Sequence, residues 1–372
     1  MGIIRIVVGV ALGVALFTGE SLAESYTITD LGTLGGSVGW PNSINDTGQV
    51  VGYSYTPDNV WHATCWSNGT VNNLGTSGGF SNANSVNNHG QVVGYDGSRA
   101  TLWNNGTVTD LGTLGGGSSS VAYSINNSGQ VVGAADDASG ASQAVLFSNG
   151  TVTNLGTLGG AWGVAYAIND IGLSVGYSAT ANAWHATLWS SGSVIDLGTL
   201  EGIFSGAASI NKSGQAVGWA TTANNTGHAA LFSNGTVTDL GTLGGSASSA
   251  TSINNSGQIV GWAVNTNGSG DSRATLWNNG TVTDLNTLID PTSDWNLIEA
   301  HGINNVGQIV GVGARSGGGY KAFLLTPVRD TQSIPEPSTF LLFIAGLVGV
   351  AIYQWNKEAK LRVRRGLESG II

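Results

Sequence analysis

Five tryptophans, Trp61, Trp184, Trp219, Trp262 and Trp295, keep no regular spacing and fall near strand ends or loops rich in Asn and Ser. An indole face beside polar side chains suits stacking on a sugar ring, so these five are the candidate ligand contacts. A second set recurs with the chain's own period. The residue before a repeated alanine is His62, Arg99, Gln143, His185, His228, Arg273 or Lys321, a long hydrogen-bond donor each time. Such a donor can pair with a nearby Asp or Asn on the same sheet face, or seven of them can ring an anionic glycan. Strict recurrence favours the structural pairing. Asp290, Asp294 and Glu299 lie in the least regular stretch, and the Glu201-Gly202-Ile203-Phe204 sequence breaks a repeated Gly-Gly. A glycan-cleaving enzyme needs paired carboxyl groups, so this irregular region is where such a site would sit. There is no Gly-x-Ser-x-Gly elbow, no unique His-Asp-Ser set and no histidine spacing suited to a metal, so no catalytic, cofactor or metal residue is assigned. Turns such as Asn45-Asp46-Thr47-Gly48 and Asn254-Asn255-Ser256-Gly257 carry too few carboxylates for calcium and read as Asx turns. The Asn-Gly-Thr sequons are accounted for by hairpin chemistry.

These residues need elements to hold them, and composition narrows the choice. Of 372 residues, 59 are glycine and only 9% are charged, while 41% are apolar. A helical bundle cannot carry that much glycine, and a disordered chain would not hold twelve tryptophans. The tract Asp-Leu-Gly-Thr-Leu-Gly-Gly, or a close variant, recurs with its first leucine at Leu31, Leu74, Leu111, Leu155, Leu197, Leu240 and Leu285, about 42 residues apart.

Within the third repeat, a strand at Val121–Asn126 turns through Asn127-Ser128-Gly129 into Gln130–Gly133. A variable loop leads to Ala144–Phe147, and a tight Asn149-Gly150 turn to Val152–Leu155. Asn-Gly between apolar runs is the strongest short hairpin signal, because both central residues of the turn need positive φ. It returns at Asn68, Asn105, Asn234 and Asn279, with Ser191-Gly192 in the remaining place. Each repeat is therefore a four-stranded meander, and radially packed meanders make a propeller. The last repeat lacks a fourth strand after Pro327, whereas Tyr26–Leu31 is a spare one at the start. The expected fold is all-β, a seven-bladed β-propeller of four-stranded antiparallel blades closed by an N-terminal strand. Trp66, Trp103, Trp189 and Trp277 share one register with Phe147, Phe232 and Leu325 and are expected between blades.

The ends carry different signals. Ile6–Phe17 is apolar and is followed by Ser21-Leu22-Ala23, a signal-peptide pattern with cleavage after Ala23. Phe340–Tyr353 is an uncharged apolar run, and five of the twelve basic residues, ending in Arg364 and Arg365, come after it. The expected organisation is a signal peptide at 1–23, a propeller at 24–327, a linker at 328–338, a transmembrane helix at 339–355 and a basic cytoplasmic tail at 356–372. Pro335-Glu336-Pro337 followed by the apolar run and the basic end resembles the PEP-CTERM sorting signal of Gram-negative bacteria that make extracellular polysaccharide. That resemblance implies an exosortase-type processing enzyme as partner, transient anchoring in the inner membrane, and release to the cell surface or matrix. The repeats resemble the HAF repeat of extracellular bacterial proteins, through His62-Ala63-Thr64, His185-Ala186-Thr187, His228-Ala229-Ala230 and Lys321-Ala322-Phe323 with the Leu-Gly-Thr-Leu-Gly-Gly context. The expected function is an exported binding or scaffold propeller associated with exopolysaccharide.

Residues 24–327 hold 17 acidic and 5 basic side chains, which makes nucleic acid and anionic lipid poor partners. The single cysteine, Cys65, forms no internal disulfide and is expected to be buried and inert. Stability must then come from packing and hydrogen bonds alone.

Overall fold

The outer hairpins close as their Asn-Gly pairs require. Asn68, Asn105, Asn149, Ser191, Asn234 and Asn279 have φ between 47° and 52°, and the glycine after each is also positive. In this computed structural model the described residues are 25–75, 79–266, 271–315, 318–328, 350, 353–362 and 364–365. They form seven four-stranded antiparallel sheets. Blade 1 consists of strands Gly39–Ile44, Val50–Tyr55, Trp61–Ser67 and Thr70–Asn73. Blades 2 to 6 follow at 81–110, 120–154, 163–196, 205–239 and 244–284. Blade 7 takes Trp295–Ile303, Ile309–Arg315 and Tyr320–Pro327 from the end of the ring, and its outer strand is Tyr26–Asp30. Tyr26 pairs with Pro327 and Asp30 with Phe323, so the first strand latches the last blade.

Every inner strand carries a bulge at one equivalent place, at Asn42, Asn84, Tyr123, Tyr166, Ala208, Thr251 and His301. The bulge brings the inner strand's carbonyl close to the glycine of the neighbouring strand. A Cβ on Gly133 would lie 1.9 Å from the Val121 carbonyl oxygen, and one on Gly218 would lie 2.0 Å from that of Gly206. The glycine in each Val-Gly pair is thus required by close approach rather than by its φ.

The turn after each inner strand closes the ring. Asn45, Asn87, Asn126, Asn169, Asn211, Asn254 and Asn304 are all buried. In each, the side-chain amide donates to the backbone carbonyl of the next asparagine, at 3.0 to 3.3 Å, and Asn304 completes the circle on Asn45 at 3.0 Å. Its own carbonyl oxygen accepts from the turn behind it, as Asn126 Oδ1 does from Ser128 N at 3.1 Å and Gln130 N at 2.9 Å.

Between blades the core is built from small and branched side chains. Val93 and Ala100 of blade 2 meet Ala122, Ile125 and Phe147 of blade 3, and equivalent clusters fill the other junctions. Trp66, Trp103, Trp189 and Trp277 are buried at this interface, as expected, and so is Cys65. Each indole also donates to the glycine carbonyl of the preceding Leu-Gly step, from Trp66 to Gly32 at 3.1 Å and from Trp189 to Gly156 at 3.0 Å.

The expected pairing of the repeated donor with an Asp or Asn occurs in four blades. The contacts are Arg99–Asp110 at 3.0 Å, Gln143–Asn154 at 3.5 Å, His185–Asp196 at 2.7 Å and His228–Asp239 at 2.8 Å. Elsewhere the acceptor is committed or changed. Asp284 caps the short helix Leu285–Leu288, and Arg273 turns to Asn296. Asp30 is taken by Arg315 at 3.3 Å, leaving Lys321 to donate to the Ser37 carbonyl. His62 faces Asn73, whose oxygen accepts from Gly75 N, and His62 Nδ1 is buried without a partner.

Residues 329–372 form a separate unit, of which 353–362 and 364–365 are helical, with an Arg362–Glu358 pair at 3.8 Å. Among the described residues no helix is long and apolar enough to cross a membrane. Ala23, Pro335, Glu336, Pro337 and nearly all of 339–355 lie outside the described residues, while Arg364 and Arg365 fall in the helical part.

Two outcomes test this architecture. Deleting Tyr26–Asp30 removes a buried tyrosine and a whole strand pairing; a loss of about 4 kcal/mol, or roughly 10 °C in Tm, is expected by calorimetry. An unchanged Tm would refute the latch. Asn126→Asp keeps the shape but replaces a donating amide with a buried carboxylate, and urea unfolding should show a loss of about 3 kcal/mol. A change within ~0.5 kcal/mol, the range of an ordinary surface substitution, would show that the ring contributes little.

Candidate functional site

All inner strands run the same way, from an end made by the second-to-third-strand loops and the blade-to-blade connections, toward the asparagine ring. At the ring end the channel narrows on a collar of branched residues, from Ile44 and Val86 round to Ile303, enclosing about 190 Å³. Just outside this collar Asp46 accepts from Asn88 and Asn305 at 2.9 to 3.0 Å. Burial pulls its carboxyl upward, but these hydrogen bonds outweigh that and hold it below the usual aspartate value.

The opposite mouth is aromatic, and its two halves differ. Across blades 7, 1 and 2, Trp40 stacks on His301 with centroids 5.1 Å apart, and Trp61 stacks on Phe80 at 3.9 Å. Across blades 3 to 5, Tyr123 meets Tyr166 at 4.8 Å, Trp162 meets Trp184 at 6.1 Å, and Trp184 stacks on Phe204 at 4.1 Å. Here the rings surround a cleft of about 490 Å³, walled by Trp162, Tyr166, Tyr177, Trp184 and Trp219, with Gly206, Ala207 and Ala208 as its floor. This volume lies in the usual range for a small-molecule or oligomer site. The lining contains no charged side chain.

Small residues make the space. Gly206 sits where a Cβ would come within 3.1 Å of the Trp219 indole nitrogen and 3.4 Å of the Tyr177 ring, so any side chain there would intrude on the two walls. Ala208 occupies the bulge position filled by Asn, Tyr, Thr or His in the other blades. The departure at Glu201-Gly202-Ile203-Phe204 supplies the outer lip: Phe204 stacks on Trp184, and Ile203 is 54% exposed. Glu201 adopts φ of 69° where Gly159 and Gly244 stand in neighbouring repeats. A side chain there costs about 1 kcal/mol, the kind of backbone strain that gathers at functional positions.

Of the five tryptophans selected from sequence, Trp184 and Trp219 share this cleft. Trp61 belongs to the other aromatic group. Trp262 sits opposite Ser249 in blade 6, and Trp295 packs on Phe323 beneath the Arg315 guanidinium, so neither joins them. Trp162, Tyr166 and Tyr177 are contacts that irregular spacing does not pick out. The available signal was positional: Tyr123 and Tyr166 take the place two residues before the last apolar residue of the inner strand, where Asn42, Asn84, Thr251 and His301 stand in four other blades.

The irregular carboxylates each have a local partner. Asp290 accepts from the Thr292 hydroxyl at 2.7 Å, which lowers its pKa; Asp294 is held by Arg315 at 3.1 Å; and Glu299 faces His301 at 3.3 Å. They form no paired acid and base around the cleft. Among the described residues no group of three or more His, Cys, Asp or Glu is placed to hold a metal.

No protein-family model matches the sequence, and no curated protein matches it. Among solved structures, the chain is similar to TolB from Acinetobacter baumannii, with 13% identity and a TM-score of 0.45 over 76% of this chain and 64% of that one. It thus spans somewhat less than two thirds of TolB. It is also similar to a gluconolactonase from Xanthomonas campestris, with 10% identity and a TM-score of 0.41 over 82% and 92% of the two chains. A third likeness is to a puromycin-hydrolyzing peptidase from Mycobacterium tuberculosis, with 10% identity and a TM-score of 0.47 over 82% and 56%. At these identities and TM-scores none of their activities carries over to this chain.

The cleft has its own spectroscopic handle. Burial, and then the hydrogen bond with Tyr177 at 3.3 Å, hold the Tyr166 hydroxyl well above the usual tyrosine pKa of about 10. The folded state then binds this proton more tightly than the unfolded one. Its contribution is complete below about pH 10 and is lost as pH rises beyond it. Absorbance titration at about 295 nm should show Tyr123 and Tyr166 ionising above the usual tyrosine pKa of about 10. Tyr166→Phe should make the alkaline loss of stability less steep, and an identical alkaline limb would contradict the assignment.

Proposed function

We propose that the protein is an exported propeller that binds extracellular polysaccharide at the cell surface or in the matrix, using the aromatic cleft of blades 4 and 5. The observation that carries this reading is the convergence of Trp162, Trp184 and Trp219 with Tyr166 and Tyr177 around one uncharged cavity. Sugar rings present alternating apolar C–H faces and hydroxyl edges, and indole and phenol rings match both. An acidic body agrees with a life outside the cell away from nucleic acid.

Export in this reading rests on the leader ending at Ala23. Delivery rests on the resemblance of Pro335-Glu336-Pro337 and the basic end at Arg364 and Arg365 to a sorting signal, with an exosortase-type enzyme as the processing partner. Prolines on both sides of the glutamate hold an extended backbone suited to being gripped by such an enzyme. Binding is favoured over cleavage because Asp290, Asp294 and Glu299 are occupied by Thr292, Arg315 and His301.

The test is selective glycan binding by the full-length chain on an array, followed by calorimetry with the best ligand. Trp184→Ala should weaken that binding by about tenfold or more, as loss of a central aromatic anchor does, while leaving far-UV circular dichroism unchanged. No selective binding by the unaltered chain, or full affinity in Trp184→Ala, would overturn the reading.

A further inference from the structure

The aromatic cleft of blades 4 and 5 has a counterpart at the junction of blades 1 and 2. Trp61 stands before His62-Ala63 as Trp184 stands before His185-Ala186, and Phe80 precedes Ser81 as Phe204 precedes Ser205. Each indole stacks on its phenylalanine, at 3.9 Å for Trp61 and 4.1 Å for Trp184. The two junctions share a hydrogen bond as well: Ala63 N donates to Ser81 Oγ and Ala186 N to Ser205 Oγ, each at 2.9 Å. Tyr53 takes the place of Tyr177, and Tyr95 that of Trp219, each opposite the alanine of its own repeat. Burial, and then the phenols of Tyr55 and Tyr95, raise the Tyr53 hydroxyl above the usual tyrosine pKa, so Tyr95 lies near enough to be felt.

The other three positions are polar. Where the cleft has Tyr166, Gly206 and Ala208, this junction has Asn42, Asn82 and Asn84. Asn42 donates to Asn82 Oδ1 at 2.8 Å and to the Ala83 carbonyl at 2.9 Å, Asn82 donates to Asn84 at 3.1 Å, and Asn84 to the Ala122 carbonyl at 2.8 Å. Backbone carbonyls only accept, so the direction of this amide chain is fixed and Asn42 Oδ1 is its open end. That oxygen has no donor among the described residues and is not sealed from solvent. The three asparagines, Tyr53, Trp61 and Tyr95 are all partly exposed, and Phe80 is 48% exposed.

Aromatic faces beside water-facing amides match the C–H surface and the hydroxyls of a sugar ring together. With Asn42 in place of the Tyr166 ring, the junction offers one aromatic wall fewer than the cleft and binds more weakly. We propose that the junction of blades 1 and 2 is a second carbohydrate site, its aromatic walls stacking on a sugar ring and its open amide groups meeting the hydroxyls, so that each chain holds two stretches of polysaccharide at one mouth. This rests on the polysaccharide-binding reading and extends it.

Calorimetry of the full-length protein with neutral glucose, mannose and galactose hexasaccharides tests the second site. The best ligand should fill about two sites per chain, one tight and one weak. Trp184→Ala should lose the tight phase and keep the weak one. Trp61→Ala and Phe80→Ala should each lose the weak phase and leave the tight affinity within about threefold of the parent. Phe80 is half in solvent, so its truncation disturbs the fold least, and each variant's melting temperature is checked so that loss of fold is not scored as loss of binding. A single site in the parent, or a weak phase that survives both Trp61→Ala and Phe80→Ala, would overturn the inference while a Trp184-dependent phase left the cleft reading standing. A weak phase lost in Trp61→Ala with no phase lost in Trp184→Ala would do the reverse. If the parent bound none of these oligomers, both would fall together.

Discussion

Seven buried asparagine amides, each donating to the carbonyl of the next, impose the geometry on which the rest of the molecule depends. An amide hydrogen bond is directional, and a circle of them closes only if every blade turns by the same angle. The last bond, from Asn304 to Asn45, matches the others in length, so the circle closes without accumulated error. Each asparagine also shapes its own turn, which ties the local conformation of a four-residue loop to the global count of blades. Blade 4 shows which part is needed. There Leu173 replaces the usual glutamine, and Asn169 lacks that side-chain contact but keeps its bond to Asn211.

The junctions farther from the axis satisfy their polar groups by interchangeable means. The glycine carbonyl after each Asp-Leu or Asn-Leu step takes an indole proton where a tryptophan is present, as at Gly75 from Trp103. Where phenylalanine stands in that register, a serine on the inner strand is the donor, from Ser120 to Gly112 at 2.7 Å and from Ser205 to Gly198 at 2.6 Å, and in blade 6 Ser248 joins Trp277 on the Gly241 carbonyl at 2.8 Å. Either donor prevents a buried acceptor from going unpaired, which would cost about 1–3 kcal/mol. This is why the repeats drift in sequence while the blades stay superposable in pairing and register.

The turn chemistry and the strand count were legible because both are local. Asn-Gly demands positive φ at two adjacent residues wherever it sits, and a missing strand at one end with a spare one at the other has a single economical resolution. The bulges were not legible, since a strand read by alternation alone does not reveal where two residues face one. The obligatory glycines beside them went unexplained for the same reason. The donor pairs were half legible: the register placed His185 near Asp196, but nothing in the spacing showed that Asp30 would be claimed by Arg315 from a strand 285 residues away. The candidate site followed the same division. Trp184 and Trp219 stood out as irregular, whereas the convergence of Trp162, Tyr166 and Tyr177 depends on how two blades meet around the axis.

A ring of seven equivalent junctions offers no unique place to bind anything, so a specific site requires the symmetry to be broken, and the structure breaks it where that costs least. The asparagine ring is buried, and losing one of its bonds would strand a donor and an acceptor away from water. The bulge side chains stand toward the opposite mouth, where Tyr123, Tyr166 and Ala208 replace the donors Asn42, Asn84, Thr251 and His301 of the other blades. The same three replacements bring aromatic rings and free volume to one arc of the mouth. The identity of the bulge residue thus decides whether a junction is tied by a side-chain hydrogen bond or bordered by an aromatic ring and free volume.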